Sequence, residues 1–156
     1  MIRIVIALVF TLLLPVYNTF AAECTLPLYD SLVVEGKSAV EGREWDNSVK
    51  IYSRILDDCR SLVSDSDLAK AYDALAVGQL MKENYSAAID SAKRCLEQES
   101  KYNACMMTAA KAYEGLGDRG MALEYGRAAA AVEVYDDYSA AVAIYAKDYL
   151  KKFEKH

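Results

Sequence analysis

Four cysteines, Cys24, Cys59, Cys95 and Cys105, are the side chains with the clearest chemistry to offer. A thiol can oxidise, ligate a metal or act as a nucleophile, and its neighbours decide which. No two of these form a CxxC pair, so neither zinc-knuckle nor thioredoxin-like spacing is present. An even count in an exported chain permits two disulfides, with three connectivities open. Nucleophilic catalysis lacks its base. The single histidine is His156, at the C-terminal end, and no Ser-His-Asp or Cys-His arrangement can be assembled without an interior one. There is no glycine-rich phosphate loop and no HExxH helix. Asp57-Asp58 and Asp136-Asp137 fall at predicted helix ends, where carboxylates cap helices or solvate turns. Asp65 and Asp67 lack the further ligands of an EF-hand. The expectation is a protein that is not an enzyme and uses no metal or cofactor.

The compartment is read from the first residues. Residues 1–22 begin with one basic residue, Arg3, continue through an apolar run from Ile4 to Leu14, and end in Ala21-Ala22. That order is expected of a secretory signal peptide cleaved after Thr-Phe-Ala or Phe-Ala-Ala. The alternative is an uncleaved anchor, for which an apolar run of roughly 10 to 14 residues is short. Glu23 before Cys24 argues against lipid attachment, which wants a small residue there. The chain carries a formal charge of −5 and no basic stretch, which disfavours nucleic acid as a partner. A membrane enters only through an uncleaved leader. The protein is expected to be periplasmic or secreted.

The elements that position these side chains are helices. Leu68, Ala71, Tyr72, Leu75 and Ala76 recur at three and four, as do Ala88, Ile89, Ala92, Cys95 and Leu96. Ser66 or Asp67 stands where the N-cap of the first run belongs, and Asn103 where that of the next helix belongs, with Met106, Ala109, Ala110 and Tyr113 following. Gly117 is a natural left-handed stop for that helix, and Arg119 to Val134 forms its partner. Leu32–Glu41 and Asp46–Cys59 give a similar pair upstream, separated from the next by RSLVSDSD. Tyr138, Val142, Tyr145, Tyr149 and Phe153 make one stripe of a final amphipathic helix. Helices of this length joined by short turns pack antiparallel.

The pairs repeat. Leu75 superposes on Ala109, Ala76 on Ala110 and Ala88 on Ala122 at a step of 34 residues. A step of 40 places Gly36 on Ala76, Trp45 on Tyr85 and Ser48 on Ala88. Paired helices with this period, small residues at Gly36, Ala76 and Ala110 and again at Ser48, Ala88 and Ala122, and an aromatic at Trp45 and Tyr85, resemble the tetratricopeptide repeat family. Arg119 departs from the aromatic site, Ile55 from the third small site, and the usual repeat-end proline is absent. The resemblance implies an all-α fold: a short right-handed solenoid of antiparallel helix hairpins. The expected layout is a signal peptide (1–22), an N-terminal extension (23–28), three repeats (29–62, 69–102, 103–136) and a capping helix (137–156). The small residues are where two helices can approach to about 8 Å.

Residues equidistant from a hairpin turn face each other. Cys95 and Cys105 are symmetric about Ser100, and Cys24 and Cys59 lie at one end of the first hairpin. The pairs Cys24–Cys59 and Cys95–Cys105 are therefore expected, the alternative for Cys95 being a free thiol filling a small-residue site.

The resemblance also implies a groove lined by the first helix of each pair that binds a peptide or a partner's helix. By register its lining is Val33, Lys37 and Val40, then Asp73, Val77 and Leu80, then Met107, Lys111 and Glu114, extended by Tyr138 and Tyr145. Some family members grip a C-terminal carboxylate there with lysine, asparagine and arginine. The matching positions, Val33, Lys37, Ala74, Ala104 and Thr108, offer one cation. The resemblance and the leader together imply an exported adaptor or scaffold for a protein or peptide partner, with assembly of an envelope complex as one expected role. The alternative is a self-associating module, a homodimer joined through the tyrosine-rich last helix.

Overall fold

The computed structural model describes residues 24–154; the leader, residues 1–22, and His156 lie outside them. The described residues form seven α-helices: α1 (Leu26–Glu41), α2 (Trp45–Asp58), α3 (Asp65–Met81), α4 (Tyr85–Gln98), α5 (Asn103–Gly115), α6 (Arg119–Ala131) and α7 (Asp137–Glu154). A 3-10 turn, Arg60–Leu62, occupies the long connection between α2 and α3. No strand occurs among the described residues, and no helix there is long and apolar enough to cross a membrane. Each helix packs on the next, and α5 also touches α3 on one side and α7 on the other.

Several helix ends differ from expectation, each for a local reason. The first helix begins at Leu26, inside the expected extension, because Pro27 falls in its first turn, where a missing N–H costs nothing. Helix α3 begins before Asp67: Ser64 is the N-cap, its Oγ accepting from Asp67 N at 3.2 Å and donating to Asp67 Oδ2 at 2.7 Å. Asn103 is not a cap. It is the first residue of α5, fully buried, and its Nδ2 donates to Ser139 O at 2.8 Å, tying α5 to α7. Helix α6 stops at Ala131, short of Val134. The α7 start is a reciprocal cap, with Ser139 N donating to Asp136 Oδ1 at 2.7 Å and Asp136 N to Ser139 Oγ at 3.1 Å.

The repeat shows in the backbone as well. Arg43, Glu83 and Gly117, the turn residues of the three hairpins, all have left-handed φ, of 58°, 61° and 78°. They stand 40 and 34 residues apart, the offsets at which the helices superpose. Only the third position is glycine.

The core runs along the stack. Leu32, Ile55, Leu75, Ala76, Cys95 and Ala109 join α1 to α5 in one buried cluster. Met107, Ala110, Ala129, Ala146 and Tyr149 continue it to α7. The small residues Ala76, Ala88, Ala110, Ala122 and Ser48 are wholly buried, and Gly36 is buried beneath the Tyr52 ring, 3.0 Å from where a Cβ would sit. Close approach also occurs between repeats. A Cβ on Gly78 would lie 2.9 Å from Val49, and one on Gly115 would collide with the Tyr85 ring. At the third aromatic site Arg119 substitutes by other means: its guanidinium lies 5.4 Å from the Phe153 ring and donates to Phe153 O at 2.8 Å. The capping helix is thereby fastened to the last pair.

Both disulfides are the expected ones, Cys24–Cys59 with Cα atoms 5.0 Å apart and Cys95–Cys105 with 6.4 Å. The first anchors the start of α1 to the end of α2. The second joins α4 to α5, between repeats.

Candidate functional site

The side on which α3, α5 and α7 meet opens into a cleft of about 320 Å³. Its floor is Met107, nearly buried, between Val77 and Leu80 of α3 and Val142 of α7. Tyr138 and Tyr145, about half exposed, form its rim. The helical period explains this grouping: Asp73, Val77 and Leu80 are one turn apart on α3, as are Met107 and Lys111 on α5, and Tyr138, Val142 and Tyr145 on α7. Of the expected lining, the cleft brings together Asp73, Val77, Leu80, Met107, Lys111, Tyr138 and Tyr145.

The rest lies elsewhere. Val33 and Lys37 line a separate recess of about 140 Å³ between α1 and α3, floored by Tyr52 and Ile55. Val40 packs against the core of the first two pairs. Glu114 faces an adjoining recess with Leu80, Lys111 and Tyr85. Residues missed by register are Met81 of α3, Ala104 and Thr108 of α5, and Ala141 and Val142 of α7, the last two lying outside the repeat pattern. The four-residue spacing from Tyr138 to Val142 was the available signal.

Charge in the cleft is uneven. Lys111 leans over the Tyr145 ring, its Nζ 4.6 Å from the centroid, a cation–π arrangement. Asp73 is the only buried charged side chain among the described residues, and burial pushes its pKa up to about 7. Its Oδ1 lies 3.4 Å from Cys105 Sγ. That sulfur is bonded to Cys95 and has no hydrogen to donate. Burial, and then the facing Asp73 charge, push the Tyr138 phenol up to about 12, and the same two causes raise Tyr52 and Tyr102. Tyr149 is no part of an exposed surface. It is buried against Gly126 of α6 and donates to Ala110 O at 3.3 Å, so this tyrosine of the last helix is not available to a second copy.

A larger cleft, about 560 Å³, lies on the other side between α2 and α4. Arg60 and Arg94 line it together with Asp57, Asp90 and Glu97, and Arg60 Nη1 donates to Tyr72 Oη at 3.1 Å. Mixed charge on an open polar surface gives no preferred ligand. Three of the acidic residues singled out from sequence are engaged: Asp67 is held below its ordinary value by hydrogen bonds from Ser64 and Lys70, Asp58 pairs with Arg54 at 3.4 Å, and Asp136 caps α7. No group of three or more His, Cys, Asp or Glu placed to hold a metal ion is found among the described residues.

No protein-family model matches the chain, and no curated protein matches it in sequence. Solved structures do. PcrH in complex with the chaperone binding region of PopD is similar with a TM-score of 0.70 at 19% identity, over 83% of this chain and 92% of that one. The Arabidopsis OM64 TPR domain is similar with a TM-score of 0.61 at 16% identity, over 78% of this chain and 96% of that one. The CopN–Scc3 complex follows with a TM-score of 0.65 at 13% identity, over 84% and 78%. At these identities the likeness establishes the fold, which is that of a tetratricopeptide-repeat domain.

Proposed function

We propose that this protein is an exported interaction adaptor that holds a segment of a partner protein in the cleft of α3, α5 and α7. One observation carries the reading: an apolar floor of Val77, Leu80, Met107 and Val142, rimmed by half-exposed tyrosines, is held on a rigid helical stack. Methionine and tyrosine give adaptable, low-entropy contacts suited to a peptide. Two similar structures are complexes, PcrH with a region of PopD and CopN with Scc3, which supports a protein partner. Two disulfides support an oxidising compartment and hence export. Assembly of an envelope complex is one role such an adaptor can serve.

The reading is tested by panning a random dodecapeptide library on the protein and measuring selected peptides by fluorescence anisotropy. Binding is expected to fall at least tenfold in Tyr138→Ala/Tyr145→Ala. Peptides that bind this variant equally well place recognition elsewhere. Self-association is a second reading, favoured by Ile144, 62% exposed, beside Tyr145 on α7. Light scattering separates the two: a dimer dissolved by Ile144→Glu supports it.

A further inference from the structure

Asp73 occupies a position where the repeat otherwise places an apolar side chain. At offsets of 40 and 34 residues its counterparts are Val33 and Met107. A carboxylate in such a place costs several kcal/mol unless a cation or several donors meet it. Among the described residues neither is supplied: no ion pair involves Asp73, and its sulfur neighbour has no proton. Lys111, the cation of the same cleft, is turned onto Tyr145. Asp73 nevertheless lines the cleft, between its apolar floor and the Tyr138 rim, within reach of whatever enters.

We infer that Asp73 is a specificity-determining residue, and that the cleft selects partner segments in which apolar residues flank one lysine or arginine whose cation reaches this carboxylate. The inference rests on the groove reading above and deepens it by naming the partner's chemistry. The apolar floor excludes water around the pair, which strengthens the attraction. Tyr138 on the rim offers a ring face to the basic side chain's stem and head, the Tyr145 face being taken by Lys111. A hydrocarbon at that position leaves Asp73 buried and unmatched, so discrimination comes from the penalty as much as from the contact.

The probe is the tightest cleft-dependent dodecapeptide from the panning, N-acetylated so that its terminal amine cannot supply the cation. Selected peptides are expected to share a basic residue at one position. Norleucine there should weaken binding tenfold or more to the protein, and twofold or less to Asp73→Asn. A second reading avoids any variant. Between pH 5.5 and 8 the lysine peptide should bind more tightly as Asp73 ionises, while the norleucine analogue does not. The groups facing Asp73 are the phenols Tyr52 on α2, Tyr102 before α5 and Tyr138 on α7, all held above their ordinary values, and Lys111 on α5. Peptides lost in Tyr138→Ala/Tyr145→Ala that show no basic position, or tolerate norleucine, overturn the Asp73 inference and leave the groove standing. Absence of any cleft-dependent peptide overturns both. Tighter binding of the free-amine form alone assigns Asp73 to a chain terminus and overturns the side-chain assignment.

Discussion

Asp73 Oδ1 lies 3.4 Å from Cys105 Sγ, an acid oxygen against a disulfide sulfur that has no hydrogen to donate. The neighbourhood is built by α3, α5 and α7 and joined to α4 by the same disulfide. The most uncomfortable polar group of the fold therefore sits at the cleft assigned to partner binding.

Its effect on stability has a definite sign. The folded carboxyl titrates near 7, above its ordinary value of 3.8, so the folded state keeps a proton that the unfolded chain has released. Stability is fully present below about pH 4 and is lost as pH rises towards 7. Asp73→Asn is expected to flatten this loss and to raise stability at pH 8 by on the order of 3 kcal/mol. Urea melts at pH 5 and pH 8 on both proteins check it. A wild-type chain more stable at pH 8 than at pH 5, with the variant unchanged, contradicts it.

Ser48 Oγ is buried without a hydrogen-bond partner. The repeat places alanine at Ala88 and Ala122, the equivalent positions. Ser48→Ala removes an unsatisfied hydroxyl and is expected to stabilise by about 0.5–1 kcal/mol. A loss of stability shows that the hydroxyl is satisfied in solution.

The turn positions offer a paired experiment. Glu83 has φ of 61° and Gly117 of 78°, and a Cβ on Gly117 would meet nothing within 4 Å. Glu83→Gly is expected to stabilise by about 0.5 kcal/mol and Gly117→Ala to destabilise by about 1 kcal/mol, from backbone conformation alone. Thermal melts of the two single variants should shift in opposite directions.

The two disulfides should differ in worth. Cys24–Cys59 spans 35 residues and Cys95–Cys105 spans 10. Loop entropy makes the longer one more stabilising by about 1 kcal/mol. Cys24→Ala/Cys59→Ala is therefore expected to cost more, in urea, than Cys95→Ala/Cys105→Ala.

Close packing gives a fifth check. Ala88 is wholly buried where α4 meets its neighbours. Ala88→Leu is expected to destabilise by about 1–3 kcal/mol through overpacking, whereas Ala128→Leu on the exposed face of α6 should be near neutral.

The helix pairs, their period and both disulfides were legible in the sequence because each leaves a spacing: 34 residues between small side chains, and symmetry of Cys95 and Cys105 about Ser100. Ends were less legible. Residue type and spacing offer Ser66 or Asp67 as the cap, and the fold gives the role to Ser64 instead. Asn103 was read as a cap for its type, but a tertiary bond to Ser139 claims its amide. Most of the cleft followed from register on α3 and α5. Val33 and Lys37 fell away into their own recess. Asp73 falls in the groove register, and an acid in the register of Val33 and Met107 is a visible anomaly, but its burial follows only from the packing of the helices around it.

The central claim is that a partner segment lies in the cleft of α3, α5 and α7. Backbone amide shifts of the isotopically labelled protein, followed while a panned dodecapeptide is titrated in, test it most directly. The account expects the largest changes at Val77, Met107, Lys111, Tyr138 and Val142, with Arg54, Asp90 and Arg127 on the outer faces of α2, α4 and α6 unmoved. Shifts gathered around Arg60, Asp90 and Arg94 instead, with the cleft silent, would contradict it.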